Sequence, residues 1–191
     1  MLRQDPMRGL FVTVALAAHA FAGTLSVTDI DGKTLSPLRP AGQAEVLFFI
    51  THDCPISNFY APEIQRICTQ YGAKGVSCAL VYVDAQLNAA AVRKHLSDFG
   101  YKGMIPAILD VKHKVVGAAG ARITPEAIVV GHDGRIVYAG RIDNFYAGLG
   151  KPRRQATVFD LRTALDETLA GKPVTTPKTD PVGCYISPAG I

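Results

Sequence analysis

Two uninterrupted apolar runs dominate the first half of this chain. They lie in residues 45–51 and 78–84 and are typical of strands that are buried on both faces of a sheet. The segment between them repeats apolar residues every three or four positions, which predicts a helix. Its stripe consists of Tyr60, Ile64, Ile67 and Tyr71. Strand, helix and strand together predict a βαβ unit with parallel strands and a right-handed crossover.

Further elements are predicted on both sides of this unit. They are a hairpin over 25–38 that turns at Asp31-Gly32, a helix over 88–99, a strand over 105–111, a short helix over 115–121, a hairpin of strands 127–131 and 135–140, and a last helix that ends near Leu169. Thr157 and Asp160 have the spacing of a capping box at the start of that last helix. We therefore expect one α/β domain over residues 23–171.

The residues that follow the last helix have a different character. Residues 172–191 contain four prolines, no periodic pattern and one cysteine, Cys184. This composition predicts an extended or irregular C-terminal tail that lies over the domain.

The N-terminus has the pattern of an export signal. Arg3 and Arg8 precede the apolar residues 9–21, and Ala20-Phe21-Ala22 fits a signal-peptidase site. We therefore predict a signal peptide over residues 1–22 with cleavage after Ala22, and a periplasmic or secreted protein that leaves the membrane once cleaved. The alternative is a buried N-terminal helix or a retained anchor.

Composition and charge exclude some functions. Hydrophobic residues make up 48% of the chain, as expected of a globular protein. The formal charge of +4 is spread along the chain without a run of Lys or Arg. Because nucleic-acid binding favours a basic stripe, we expect no nucleic-acid partner.

Export changes the meaning of the four cysteines. Cys54, Cys68, Cys78 and Cys184 would meet an oxidising compartment, where disulfides persist. Three fully paired connectivities are possible, and the sequence does not choose between them. Cys68 and Cys78 flank a short helix-to-strand loop, where either a structural disulfide or two buried thiols would fit.

Two segments resemble the thioredoxin superfamily. In residues 54–62, Cys54 follows a buried strand and Pro62 stands eight positions later, inside the predicted helix. Thr124-Pro125 precedes the second hairpin, as the cis-proline of that superfamily does. The resemblance implies a thioredoxin-like fold with a central mixed β-sheet flanked by helices, an N-terminal hairpin, a reactive Cys54 and a cis Pro125 beside it.

Within the superfamily the chain is most similar to exported redoxins. That branch includes thiol–disulfide oxidoreductases and the alkyl hydroperoxide reductase/thiol-specific antioxidant proteins. Thioredoxins have a second cysteine where this chain has Ser57. Peroxiredoxins have Pro-x-x-x-Thr-x-x-Cys; Thr51 matches this motif, whereas Leu47 replaces its proline.

The expected chemistry centres on Cys54. A helix N-terminus would lower the pKa of its thiol through the dipole and free N–H groups, and Pro55 suits the first helical turn. Ser57 can donate a hydrogen bond to a thiolate but cannot form a disulfide. Cys184 is therefore a candidate resolving thiol or second ligand, the alternative being a free or structurally paired cysteine. His52 is either a proton carrier or metal ligand near Cys54, or a solvated loop histidine.

Three functions remain open on these grounds. The first is a thiol–disulfide oxidoreductase that acts on exported protein thiols or disulfides with an unidentified electron donor. The second is a thiol peroxidase in which Cys54 becomes a sulfenic acid. The third is a non-enzymatic copper-binding or redox-partner module that uses Cys54, Cys184 and a histidine. No resident cofactor or metal is expected for the first two, and the candidate site residues are Cys54, Ser57, Thr51, Cys184, Thr124 and Pro125.

Overall fold

The computed structural model describes residues 25–101, 103 and 105–189. The proposed signal peptide, residues 1–22 with cleavage after Ala22, lies outside the described residues. The helices are α1 (Pro55–Gly72), α2 (Ala89–Asp98), α3 (Lys114–Ala119) and α4 (Asp160–Leu169). The strands are β1 (Val27–Thr28), β2 (Thr34–Leu35), β3 (Ala44–Ile50), β4 (Val76–Tyr82), β5 (Ala107–Leu109), β6 (Ile123–Thr124), β7 (Glu126–Gly131), β8 (Ile136–Gly140) and β9 (Cys184–Tyr185).

A five-stranded mixed sheet forms the centre of the molecule. Its strand order is β5-β4-β3-β7-β8. The pairs β3–β4 and β4–β5 are parallel, whereas β3–β7 and β7–β8 are antiparallel. The two apolar runs of the sequence are thus adjacent central strands, joined through α1 as the βαβ pattern predicted.

Both faces of the sheet are covered. Side chains of β3 alternate, so that Val46 and Phe48 pack on one face and Leu47 and Phe49 on the other. Helices α1, α2 and α4 cover the first face. Helix α3 and the hairpin β1–β2 cover the second. This is the thioredoxin-like architecture that the sequence predicted, and in the described part of the chain none of its helices is long and apolar enough to cross a bilayer.

Asp110 explains why one predicted strand is short. The sequence predicts a strand over 105–111, but β5 ends at Leu109. The Asp110 carboxylate accepts hydrogen bonds at 2.8–2.9 Å from the N–H groups of Lys114, Val115 and Val116. It therefore caps the first turn of α3 and turns the chain away from the sheet.

The predicted capping box at the last helix is wrong. Helix α4 begins after Phe159 without a side-chain cap. The Thr157 hydroxyl accepts from the Asn144 amide at 2.9 Å, and the Asp160 carboxylate accepts from the Arg141 guanidinium at 2.7 Å. Both side chains fasten the loop before α4 because stronger polar partners stand nearby.

Cys68 and Cys78 form a disulfide, one of the two arrangements that the sequence left open. Their Cα atoms are 5.9 Å apart, across the turn from α1 to β4. The bond lies near the C-terminal end of α1, whereas Cys54 lies at its N-terminus, so the two sites are separate.

The residues after α4 form an extended segment that we call the C-terminal strap, residues 172–189. It runs first along the edge strand β8, where Ala139 N donates to Pro177 O at 3.0 Å and Thr179 N donates to Ala139 O at 3.1 Å. It then crosses the sheet end, where β9 pairs antiparallel with β6. The tail is thus extended, as predicted, and is paired to the domain at two places.

Glu45 lies on β3 between Ser77 of β4 and Val130 of β7. Its side chain is buried, and burial raises the pKa of its carboxyl to about 7. The folded state therefore keeps this proton at pH values where the unfolded chain, at about 4.5, has lost it.

This shift predicts a pH-dependent stability. Because the folded pKa is raised, the free energy of unfolding falls as pH rises from about 4.5 to about 7. The substitution Glu45→Gln removes this ionisation. The free energy of unfolding of the variant should therefore exceed that of wild type by up to about 3 kcal/mol at about pH 8 and should equal it near pH 4. Denaturant unfolding across this range measures it. Asp98→Asn, at an exposed carboxylate of α2, is the control; a parallel pH profile for Glu45→Gln and wild type would contradict the prediction.

Candidate redox site

Cys54 lies where β3 hands over to α1. It occupies the N-cap position of α1, with Pro55 in the first helical turn, and its carbonyl oxygen accepts from Asn58 N at 3.0 Å. The side chain is 1% exposed. The strand-end placement that the sequence predicted therefore holds, but the thiol is covered rather than open to solvent.

The cover is the C-terminal strap, and it brings a second thiol. The Sγ atoms of Cys54 and Cys184 are 2.7 Å apart, and within the described residues neither takes part in a disulfide. A disulfide needs about 2.05 Å, so only a small movement would join them. Cys184 is thus adjacent to Cys54, although 130 positions separate them in sequence.

Backbone pairing holds Cys184 in this position. Thr124 pairs with Cys184 and Ile123 with Tyr185 in the β6–β9 ladder. The Thr124 carbonyl oxygen lies 3.4 Å from Cys54 Sγ, and the Thr124 hydroxyl donates to the Cys184 carbonyl oxygen at 3.4 Å. The bond between Thr124 and Pro125 is cis, as the resemblance implied. Thr124 therefore contacts both cysteines.

The two thiols differ in acidity. Burial alone would raise the pKa of Cys54, but the Cys184 thiol and the N–H groups of Ser57 and Ile56 at the start of α1 hold that pKa below its ordinary value. Burial raises the pKa of Cys184, and a negative Cys54 and Asp53 raise it further. Of the pair, Cys54 is the thiol that ionises first.

Ser57 has the position predicted for it, one turn into α1 below Cys54. Its hydroxyl is buried and has no partner of regular hydrogen-bond geometry within the described residues. It nevertheless lies close enough to the Cys54 sulfur to contribute to the lowered pKa. A small rotation would let it donate to a thiolate.

Thr51 has a different partner from the one that its motif suggests. Its hydroxyl lies 3.2 Å from the hydroxyl of Thr124. This contact links the residue after β3 to β6, so Thr51 supports the strand with which Cys184 pairs. Among the described residues, Thr51 makes no hydrogen bond to the Cys54 sulfur.

A polar network fixes the loop before Cys54. His52 Nδ1 lies 2.8 Å from the Asp84 carboxylate, and Asn58 Nδ2 donates to the His52 carbonyl oxygen at 3.0 Å. The amide oxygen of Asn58 lies 2.8 Å from His95 Nε2, and His95 Nδ1 lies 2.9 Å from the Tyr82 hydroxyl. Since the Asn58 oxygen accepts, His95 Nε2 carries the proton and Nδ1 accepts from Tyr82. Burial lowers the pKa of His95, which keeps it neutral.

An open cleft leads to the sulfur pair. It has a volume of about 600 Å³ and extends from the loop of His52 and Asp53, past Asp84, to Cys184 and Tyr185. Cys184 is partly exposed in its wall. A solvent-borne group therefore meets Cys184 before Cys54.

Aromatic rings form another border of the site. The Phe59 ring, 47% exposed, stacks on Phe145 with centroids 4.5 Å apart and contacts Tyr146 edge-on at 5.4 Å. Burial raises the pKa of Tyr146, and a negative Cys54 raises it further. Tyr146 and Pro125 line the same small pocket, so the site has an apolar border beside its polar cleft.

One group of potential metal ligands lies beside the sulfur pair in the described part of the chain. His52, Asp53 and Asp84 each have one ligand atom within 4.8 Å of the others. These are nitrogen and oxygen donors of mostly exposed groups, whereas the two sulfurs are soft donors. His52 Nδ1 faces Asp84 at 2.8 Å, and the donor group found among the described residues includes neither cysteine.

The structure brings together all six candidate residues of the sequence analysis: Cys54, Ser57, Thr51, Cys184, Thr124 and Pro125. Three supporting groups, Asp84, Asn58 and His95, were not predicted from the sequence. Asp84 closes the apolar run of β4, and a polar residue at that strand end was the available signal, because parallel strands end at the same edge. Nothing in sequence spacing indicated the pairing of Asn58 with His95.

Solved structures with this architecture support the fold. A hypothetical protein from Sinorhizobium meliloti 1021 is 27% identical, with 86% of this chain and 91% of that chain covered at a TM-score of 0.72. An uncharacterized conserved protein from Geobacillus kaustophilus is 26% identical, with 87% and 89% covered at a TM-score of 0.74. A secreted disulfide oxidoreductase of Mycobacterium tuberculosis, 16% identical at a TM-score of 0.53, covers 78% of this chain and 96% of its own and is similar in fold.

The curated proteins that this sequence resembles are thiol-disulfide oxidoreductases. Thiol-disulfide oxidoreductase ResA of Bacillus thuringiensis and of Bacillus anthracis are each 26% identical over 111 residues, which is 58% of this chain and 62% of theirs. The chain thus spans less than two thirds of the length of the curated relatives it matches. The model of the AhpC/TSA family matches residues 17–139, more than half of the chain. The chain therefore belongs to the AhpC/TSA family, within the thioredoxin-like fold.

Proposed function

We propose that this protein is a thiol–disulfide oxidoreductase whose working couple is Cys54 and Cys184. The observation that carries the proposal is the 2.7 Å separation of their sulfur atoms at the N-terminus of α1. The similarity to ResA supports the same reaction class. The adjacent-turn position that usually supplies the second thiol is filled by Ser57, and the strap supplies the thiol instead.

The proposed reaction follows from the acidity of the two thiols. The Cys54 thiolate attacks a disulfide sulfur of the substrate, and a substrate thiolate leaves and takes a proton. The Cys184 thiol then loses its proton and attacks the Cys54 sulfur of the mixed disulfide, which releases the second substrate thiol. Two electrons pass from the couple to the substrate, and the Cys54–Cys184 disulfide remains. The strap must shift before the first attack, because Cys54 is covered.

A thiol peroxidase is the second candidate, and the same sulfur contact favours it. Peroxide would convert the Cys54 thiolate to a sulfenic acid with loss of hydroxide, and Cys184 would condense with it to a disulfide with loss of water. Stopped-flow consumption of hydrogen peroxide separates the two candidates. A rate no faster than that of free cysteine would exclude the peroxidase and leave the oxidoreductase as the remaining candidate. The copper-binding alternative gains no support, since the donor group found among the described residues, His52, Asp53 and Asp84, includes neither sulfur.

We also propose that the protein works outside the cytoplasm, with residues 1–22 as signal peptide, residues 23–171 as the domain and residues 172–191 as its tail. The Cys68–Cys78 disulfide supports this location, because structural disulfides persist in oxidising compartments.

The couple predicts which cysteines form a reversible disulfide. Oxidation of wild type with diamide should join Cys54 and Cys184, and both Cys54→Ser and Cys184→Ser should lose that bond and reduce insulin at least about a hundredfold more slowly. Peptide mass mapping and an insulin-reduction assay measure this. Ser187→Ala, on the same cleft but without a thiol, is the control. Free Cys54 and Cys184 after oxidation, or full turnover by Cys54→Ser, would reject the proposal.

The acidity of Cys54 should depend on Cys184. Cys184→Ala removes the thiol that lies against the Cys54 sulfur, so the pKa of Cys54 should rise, while Cys184→Ser keeps a donor and should raise it less. The midpoint of the pH profile of iodoacetamide alkylation measures the pKa. Equal midpoints for wild type and Cys184→Ala would contradict the expected effect.

Strap placement should depend on Gly183. A Cβ at this position would overlap the carbonyl of Thr124 and crowd Pro125. Gly183→Ala should therefore push Cys184 away and slow formation of the Cys54–Cys184 disulfide about tenfold or more, because the thiols lose their alignment. Gly148→Ala, whose Cβ would meet only the Lys151 side chain at 3.7 Å, is the matched control. Equal rates of disulfide formation in both variants would show that the close approach at Gly183 is not needed.

A further inference from the structure

The two sulfurs of the couple differ in how solvent reaches them. Cys54 is 1% exposed and lies beneath the strap. Cys184 is partly exposed and forms part of the wall of the 600 Å³ cleft. Both cysteines line this cleft, but Cys184 presents more of its surface to solvent. Once the two are joined as a disulfide in this arrangement, an outside thiolate therefore reaches the Cys184 sulfur more readily than the Cys54 sulfur.

The leaving groups indicate the same direction of attack. A thiolate that attacks one sulfur of a disulfide expels the other, and the reaction is faster when the expelled thiol has the lower pKa. Attack on Cys184 expels Cys54, which the start of α1 stabilises as a thiolate. Attack on Cys54 would expel Cys184, whose pKa is raised by burial and nearby negative charge.

The cleft also has a distinct charge. Among the described residues that line it, the charged side chains are Asp53 and Asp84, with His52 between them and no Lys or Arg. Asp53 is exposed and acts electrostatically on Cys184. Asp84 contacts His52 Nδ1 at 2.8 Å. The approach to Cys184 is therefore acidic, although the chain as a whole carries a charge of +4.

Tyr185 adds a contact surface at the same place. Its side chain is 83% exposed, next to Cys184 in β9, and lines the cleft. An exposed aromatic ring beside two carboxylates suits a cationic group, which gains both Coulomb attraction and a cation–π contact.

From these observations we infer that the oxidised couple is reduced through Cys184, by a thiol that carries a positive charge close to its sulfur and binds in the cleft of Asp53 and Tyr185. This inference rests on the proposed function and adds to it the attacked sulfur and the chemical class of the electron donor. The donor thiolate forms a bond to Cys184 Sγ while the Cys54–Cys184 bond breaks. The electron pair of the broken bond leaves with the Cys54 sulfur, which becomes a thiolate. A second donor thiolate attacks the donor sulfur of the mixed disulfide and expels Cys184 as a thiolate, which takes a proton. The donor becomes a disulfide, and both protein thiols are regained.

The attacked sulfur can be identified directly. Diamide-oxidised full-length protein is mixed with one equivalent of cysteamine, quenched in acid after short times, alkylated with N-ethylmaleimide and mapped by peptide mass spectrometry. Cysteamine is expected on Cys184 and N-ethylmaleimide on Cys54. The reverse labelling, or cysteamine divided equally between the two, overturns the inference while leaving the couple intact. Failure of diamide to form the Cys54–Cys184 disulfide would instead reject the proposed function, and this inference with it.

The charge preference has a separate readout. Rate constants for reduction by cysteamine and by 3-mercaptopropionate are compared at equal thiolate concentration, each divided by the rate constant of the same thiolate with oxidised 2-mercaptoethanol, which removes the difference in intrinsic nucleophilicity. These corrected values should differ by roughly fivefold in favour of the cation at low ionic strength and converge in high salt. Asp53→Asn should reduce this ratio, whereas Asp133→Asn, at the turn between β7 and β8 at the opposite end of the sheet, should keep it. Using the ratio cancels any change in the acidity of Cys184 that the substitution causes. A ratio near one in wild type, or an unchanged ratio in Asp53→Asn, overturns the preference for a cationic donor.

Discussion

The contact on which the site depends is the antiparallel pairing of the strap with β6. Two residues of each segment pair, and Thr124 uses both its carbonyl and its hydroxyl next to the cysteines. Gly183 permits this because only a residue without a side chain can lie against the Thr124 carbonyl. Without that close approach, Cys54 would still lie at a helix start, but it would have no thiol partner, and its pKa would lose the lowering contribution of Cys184.

Much of the site geometry follows from the end of β3. The strand is buried over its whole length, so the position at which the chain leaves the sheet after Ile50 is fixed by packing. The network from Asp84 through Asn58 to His95 then holds the following loop against α1 and α2. Buried polar groups are costly when unpaired, and this network leaves each of these three groups with a partner. The cysteine that follows is therefore placed by both the apolar core and a set of satisfied polar contacts.

The sequence predicted the core well and the polar junctions poorly. The apolar runs of β3 and β4 and the stripe of α1 predicted a βαβ unit, and the structure confirms that β3 and β4 are parallel neighbours joined through α1. The resemblance carried Cys54, Thr124 and Pro125 to the right place. In contrast, the strand that ends before Asp110 is shorter than predicted, and Asp160 does not form the predicted capping box. The Asp110 carboxylate accepts from the first turn of α3, and the Asp160 carboxylate accepts from Arg141, which the sequence pattern did not indicate. The neighbourhood of Cys184 was open for the same reason: an aperiodic tail has no pattern that fixes where it lies.

The span between the paired thiols has a consequence for how the chain matures. Cys68 and Cys78 are ten positions apart, whereas Cys54 waits for a partner 130 positions later. Closing a short loop costs less chain entropy than closing a long one, so the pairing of Cys68 with Cys78 has the lower entropic cost. The folding chain therefore has to keep Cys54 unpaired until β9 docks on β6. Early capture of Cys68 by Cys78 removes the two competitors, and in this sense the structural disulfide protects the fidelity of the redox one.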